Sequence, residues 1–202
     1  MAEAHRPTRN NRINRNARVG SRRSSFMTLG ISCRIRALVV EMRAEWQQLD
    51  ELIDALNREF MDLVRAQEQA RRLMTIPGVG VLNATALIAA VGDASAFRRG
   101  RDLAAWLGLV PRQFTTGGKP RLLGISKRGN KYLRTLFVHG ARAALPSLAK
   151  SATPLGRWLC GLLARSHRNV AVVALAAKLA RVAWASLWQN SIFEPAHEAT
   201  AA

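Results

Sequence analysis

Acidic side chains are scarce in one long stretch: from Ile76 to Phe193 the sequence holds only Asp93 and Asp102, and none lies between Asp102 and Glu194. Two-metal phosphoryl transfer needs several carboxylates around paired cations, so this stretch cannot form such a centre by itself. Cysteine is almost missing, with only Cys33 and Cys160. That removes a disulfide framework and a cysteine-based zinc site, and it fits a reducing compartment. The histidines, His5, His139, His167 and His197, show no metal-ligand spacing. Long unbroken apolar runs are lacking as well. The longest, from Val170, is interrupted by Lys178 and Arg181, and the N-terminus carries Arg and Asn where a signal peptide is apolar. A cytoplasmic protein without a membrane partner is therefore expected.

What the sequence has in excess is positive charge: 31 Lys and Arg against 13 Asp and Glu give a formal +18 over 202 residues. Such a surface repels itself unless a polyanion meets it, which puts nucleic acid first among partners and an anionic membrane surface second. At 49% hydrophobic residues the chain can bury one core and carry extensions.

The charge divides the chain into four segments. Residues 1–36 carry nine Arg and one acid with no apolar periodicity, and they read as a disordered basic leader. Residues 37–75 carry five bases and eight acids, and Val39, Met42, Trp46, Leu49, Ile53, Leu56, Phe60 and Leu63 alternate by threes and fours. That pattern is a coiled-coil seam, through which the chain would form a homo-oligomer, or else the inner face of a long helix packed on its own domain. Pro77 ends the helix. Residues 76–150 hold twelve bases and two acids. Residues 151–202 contain helices that start at Thr153-Pro154 and break between Ser166 and Asn169, followed by a tail from residue 191.

The third segment opens with Ile-Pro-Gly-Val-Gly at 76–80. Pro77, Gly78 and Gly80 make a stiff turn before a helix from Val81 to about Val91, the pattern of a helix-hairpin-helix. Such a corner either clips a phosphate at the helix N-terminus or serves packing alone. A short helix around Arg101–Leu107 follows. Then "GLVPRQF" and "PRLLGIS" flank "TTGGK", a loop or β-hairpin with Gly117 and Gly118 at its tip. Arg112, Lys119, Arg121, Lys127, Arg128 and Lys131 gather around it, ahead of a helix whose N-cap lies at Gly129-Asn130. No nucleophile elbow and no full phosphate-binding loop is present. What remains is a hydroxyl among cations, from Thr115, Thr116 or Ser126, able to attack a phosphodiester while the cations stabilise the charge that develops. The fold expected is mainly α: a long coiled-coil-like helix, then a compact helical domain over 76–190 with the hairpin as an excursion.

Three motifs in order, "IPGVGVLNATALIAAVGD", "DLAAWLGLVPRQFTTGGKPRLLGISKRGNKYLRTLFVHGARA" and "TPLGRWLCGLLARSHRNVAVVALAAKLARVAWASL", resemble the C-terminal half of the one-ten family of insertion-sequence transposases, recombinases guided by a bridge RNA. The resemblance covers roughly residues 40–190. It implies DNA transposition and recombination, with DNA and a structured guide RNA as partners. It also implies a preceding RNase H-like domain with an Asp-Glu-Asp-Asp site for Mg, a coiled-coil arm, and a serine nucleophile before a glycine. Subunits of a multimer would share composite sites. Thr116, with Thr115 beside it, stands where the family has its serine, and the β-methyl of threonine crowds the line of attack. Residues 1–36 show none of the carboxylate domain. The expectation is a transposase portion without cofactors of its own, inactive alone, or a non-catalytic nucleic-acid-binding and dimerisation module.

Overall fold

The computed structural model describes residues 32–92 and 94–195. The basic leader up to residue 31, Asp93, His5 and the tail beyond residue 195 lie outside the described residues. The elements run α1 (Cys33–Ala66), α2 (Glu68–Leu73), α3 (Val81–Val91), a 3₁₀ turn (Ala94–Ala96), α4 (Gly100–Trp106), β1 (Pro111–Thr116), β2 (Lys119–Ile125), α5 (Lys131–Leu148), α6 (Pro154–Arg165) and α7 (Arg168–Gln189). The mainly α fold expected from the sequence is the one observed.

The chain divides between Leu52 and Ile53 into two compact units. In the first, α1 exposes Val39, Met42, Trp46 and Leu49, each more than half accessible. In the second, Ile53, Leu56 and Leu63 of the same helix are also exposed, while Val64 joins the core. Among the described residues Val39, Met42, Trp46, Leu49, Ile53, Leu56 and Leu63 of the seam thus stand exposed, whereas Phe60 is half-buried beside Leu82 and Tyr132. A single helix through residue 75 is replaced by two, because Gln67 adopts an extended backbone (φ −111°, ψ 114°). The break turns α2 so that Ala70 and Leu73 are buried.

The core of the second unit is organised by α7, which packs against α2, α4, α5 and α6. Its buried face, Ala171, Val172, Leu175, Ala176, Leu179, Ala180, Ala183 and Leu187, alternates leucine or valine with alanine. Side chains this small on three sides of one helix let several neighbours approach closely. By length and composition α7 could also cross a membrane, but half of its most apolar stretch is buried in the protein. Helix α5 contributes Leu133, Phe137, Ala141, Ala144, Leu145 and Leu148 at three- and four-residue spacing.

Polar groups fix the ends of these helices. Asn130 caps α5 by accepting from the Leu133 amide at 3.0 Å, and Thr153 caps α6 by accepting from the Gly156 amide at 3.2 Å, with Pro154 next in the first turn. Trp184 Nε1 donates to the carbonyls of Ala94 (3.2 Å) and Phe97 (3.0 Å), tying the 3₁₀ turn to α7. Arg72 donates to Glu68 at 3.0 Å and to the Asn190 side chain at 2.8 Å, joining α2 to the end of α7.

Candidate nucleic-acid interface

The cationic segment becomes an antiparallel hairpin, β1–β2, anchored at its base and bare at its tip. Three backbone bonds close the base: the Ser126 amide to Val110 O at 2.8 Å, the Lys127 amide to Gly108 O at 3.2 Å, and the Asn130 amide to Trp106 O at 3.3 Å. Gly108 and Gly129 both have positive φ (+71° and +86°), and a Cβ on either would overlap a carbonyl oxygen, that of Arg128 or of Trp106. Only glycine lets these two strands of backbone meet. Arg134 completes the clasp, donating from Nη1 to Leu107 O (2.9 Å) and Arg128 O (3.2 Å). It joins the carbonyl at the end of α4 to one in the segment that leads from β2 into α5.

At the tip, Gly117 (φ +59°) and Gly118 (φ +74°) form a two-residue turn of the kind that matches strand twist, and space around both is open. The register pairs Thr116 with Lys119, Thr115 with Pro120, Phe114 with Arg121 and Gln113 with Leu122, with an irregularity between Pro111 and Gln113. Directly opposed residues share a face and neighbours along a strand alternate, so the two threonines part company. Thr116 lies with Phe114, Lys119 and Arg121. Thr115 lies with Gln113, Pro120 and Leu122, and Gln113 Nε2 reaches its hydroxyl at 3.4 Å. The spacing of the turn, not the composition, makes Thr116 the hydroxyl on the cationic face.

Every residue of β1 and all but the last of β2 is exposed. Arg112, Lys119, Arg121, Lys127, Arg128 and Lys131 are exposed too, and no ion pair among the described residues neutralises any of them. Ser126 is half-buried at the base, with its amide engaged there.

The Pro77–Gly80 corner sits elsewhere. Gly78 (φ +85°) packs against the backbone of Gly140 in α5, and a Cβ there would lie 2.6 Å from the Gly140 carbonyl oxygen. Asn83, buried, donates from Nδ2 to Gly78 O (3.3 Å) and Leu136 O (3.2 Å), riveting the corner to the same helix. The start of α3 thus meets α5 near residues 136–144. The far half of α3, with Thr85, Ala86 and Ala89, borders a groove of about 360 Å³ that also contains Tyr132 at the start of α5. Gly140 lies nine residues along α5 from Lys131, about 13 Å at helical rise. The corner and the hairpin cations are therefore not gathered at one point. Pro77 and Gly78 are half-buried and Val79 is buried, whereas Gly80 is exposed, caps α3 without a side chain, and has open space around it.

Among the described residues no group of three or more His, Cys, Asp or Glu could hold a metal ion. The donor set of the described residues does not fit Mg. Cys33 and Cys160 are exposed free thiols. Sequence reasoning missed Arg134 as the clasp, which four-residue spacing from the Asn130 cap would have hinted at. It also missed Phe114, whose parity with Thr116 was readable once the turn was taken as two residues.

The arrangement, a helical body holding out a bare cationic hairpin with a hydroxyl on its charged face, accompanies a matching sequence class. Residues 70–153 match the sequence model described as the transposase IS116/IS110/IS902 family. The chain is 48% identical over 158 residues to a probable family 20 transposase of Pseudomonas aeruginosa, covering 78% of this chain and 47% of that protein. It is 42% identical over 156 residues to the transposase for insertion sequence element IS1328 of Yersinia enterocolitica, covering 77% and 47%. It is 41% identical over 165 residues to the transposase for insertion sequence element IS1111A of Coxiella burnetii, covering 82% and 45%. These matches support a transposase-family protein. Among transposases, they support the IS116/IS110/IS902 family. The chain spans about half the length of the curated relatives it matches.

Proposed function

We propose that this chain is the part of an insertion-sequence transposase that grips a DNA strand on the β1–β2 hairpin and presents Thr116 as the nucleophile in strand transfer. The observation that carries this reading is the placement of the Thr116 hydroxyl on the face that holds Lys119 and Arg121, at the tip of an element that nothing in the described chain covers. The chemistry is a transesterification. Thr116 Oγ1 bonds to phosphorus, one deoxyribose oxygen leaves carrying a proton, and the number of phosphoester bonds is unchanged. Lys119 and Arg121 stabilise the added negative charge as phosphorus becomes five-coordinate. Carboxylates for a metal ion, which the resemblance implies, would come from residues outside those described. A structured guide RNA would be a second polyanion for Arg112, Lys127, Arg128 and Lys131. The α2–corner–α3 unit would act as a helix-hairpin-helix, offering the amides at Gly80 and Val81 to a phosphate away from the hairpin.

The test is a nicked or suicide DNA substrate incubated with the chain, together with a fragment that carries metal-binding carboxylates, and scored for covalent protein–DNA adducts. Adducts that vanish with Thr116→Ala and return with Thr116→Ser support the reading; adducts that persist in Thr116→Ala remove Thr116 as the nucleophile.

A second reading is favoured by the exposed stripe on α1. Trp46 at 69% and Met42 at 67% accessibility are unusual on a monomeric helix, and they suit a dimerisation element paired with DNA binding but no catalysis. Under that reading Thr116→Ala leaves all activities of the chain intact.

A further inference from the structure

Phe114 is 60% exposed on a two-stranded hairpin with no core beneath it among the described residues, so burial and one cross-strand pair with Arg121 contribute little to holding an aromatic ring there. Its surroundings point to what covers it. Phe114 is directly opposite Arg121 and two residues from Thr116, which is itself opposite Lys119. Opposed Cβ atoms lie about 5 Å apart and alternate residues along a strand about 7 Å apart. A flat apolar ring, two cations and a hydroxyl thus share one face over the span of a single nucleotide. A second copy of this chain would bring the same cations and be repelled. A partner strand adding to the edge is hindered by Pro120, which lacks an amide to donate. Within a duplex both faces of each base are already covered by neighbours, so the ring finds a partner only where a base has left the stack.

We infer that Phe114 is a stacking platform for an unstacked DNA base whose adjacent phosphate lies on Lys119 and Arg121, so that the hairpin selects opened or single-stranded DNA over intact duplex. This rests on the proposed DNA-binding role of the hairpin and deepens it by naming the state of the DNA.

The full chain is titrated by fluorescence anisotropy with a labelled single-stranded oligodeoxynucleotide, the same sequence as duplex, and the same sequence as RNA, at several salt concentrations. Phe114→Ala should bind the single strand about tenfold more weakly, as loss of one base–aromatic stack does, with the salt slope unchanged because no charge is removed. Duplex binding should change less than twofold. Lys119→Ala should instead lower the salt slope by about one. Phe114→Trp should keep single-strand affinity and show indole quenching on binding beyond that of the wild-type tryptophans, and no such quenching with duplex. Equal single-strand affinity for Phe114→Ala and wild type, or no added quenching in Phe114→Trp, overturns the inference while leaving salt-dependent DNA binding in place. RNA bound ten times more tightly than DNA, with the same Phe114 dependence, overturns the commitment to DNA. Absence of salt-dependent binding by the wild type to any of the three removes the underlying function itself. Because the side chain is exposed, circular dichroism of each variant should match the wild type.

Discussion

Replacing Gly78 by alanine separates the two uses of the Pro-Gly corner. The residue has φ +85°, and the added Cβ would sit 2.6 Å from the Gly140 carbonyl oxygen and 3.1 Å from the Ala144 Cβ. The left-handed backbone alone costs an L-residue about 1–2 kcal/mol. Relieving the overlap means lifting the corner from α5 by several tenths of an ångström, which stretches the bonds from Asn83 Nδ2 to Gly78 O (3.3 Å) and Leu136 O (3.2 Å). Each is already long, and losing both adds about 1–2 kcal/mol. The expected loss is about 3 kcal/mol, which at ~2–4 °C per kcal/mol for a chain of this size is a fall in Tm of about 6–12 °C. Gly80→Ala is the control: with φ −92° and nothing within 4 Å, it should shift Tm by no more than about 1–2 °C. Differential scanning fluorimetry reads both, followed by DNA binding at a temperature where both are folded. A Gly78→Ala protein that melts within 2 °C of wild type would falsify the packing account of the corner.

Four further outcomes follow from the geometry. Replacing Arg112, Lys119, Arg121, Lys127, Arg128 and Lys131 together by alanine should flatten the plot of log K against log salt by about four for single-stranded DNA; comparison with the unchanged chain cancels any contribution from the arginines before residue 32, and a change under two would place the phosphate contacts elsewhere. Leu179→Ala, at a fully buried position of α7, should cost about 2–5 kcal/mol, read by urea denaturation as a lower midpoint with little change in m. Leu49→Glu on α1 should shift any oligomer towards monomer in sedimentation velocity, and an unaltered distribution would show that the stripe is not the contact. Hydrogen exchange should find the amides of residues 114–119 and of Arg121 fast in the free chain and slowed by DNA, with the Ser126 amide at the hairpin base protected in both; slow exchange at the tip without DNA would contradict its lack of support.

Local chemistry was the most legible part of the fold. Asn130 before an apolar-periodic run, Thr153 followed by Pro154, and the Gly-Gly pair between two extended runs each specify a cap or turn through atoms within three residues, so a linear reading reaches them. The mainly α class followed from helical periodicity in the same way. Less legible was anything that depends on a distant carbonyl. Gly108 and Gly129 look like ordinary loop glycines until the Arg128 and Trp106 oxygens they approach are in view. The bend at Gln67 has no breaker residue to announce it; burial of Ala70 and Leu73 on α7 decides it, and that is a tertiary effect overriding local helix preference. The Pro-Gly corner and the hairpin cations are near in sequence composition but not in space, because α3 runs back along α5 and carries its N-terminus away from Lys131. Charge density along a chain does not report on which end of a helix the charges gather.

That separation changes what the hairpin has to accomplish by itself. If the corner is held by Gly140 and Asn83, Gly78 is accounted for by helix contact, and under the proposed function the strand-transfer chemistry concentrates on β1–β2. There the division of labour is between base and tip. The base is over-determined: three backbone bonds, two glycines at positive φ and the Arg134 fork all fix the same crossing, so the direction in which the hairpin leaves the body is set by the fold. The tip has neither a hydrophobic underside nor a third strand, and isolated two-stranded hairpins are marginal in water. Under the proposed function, part of the free energy released by phosphate and base contacts would be used to order the tip and fix Thr116 in place. A nucleophile ordered only by its substrate is inert towards water and stray phosphates in the free protein. On the proposed reading, Thr116 would be positioned for attack only when a DNA strand already lies across Lys119 and Arg121.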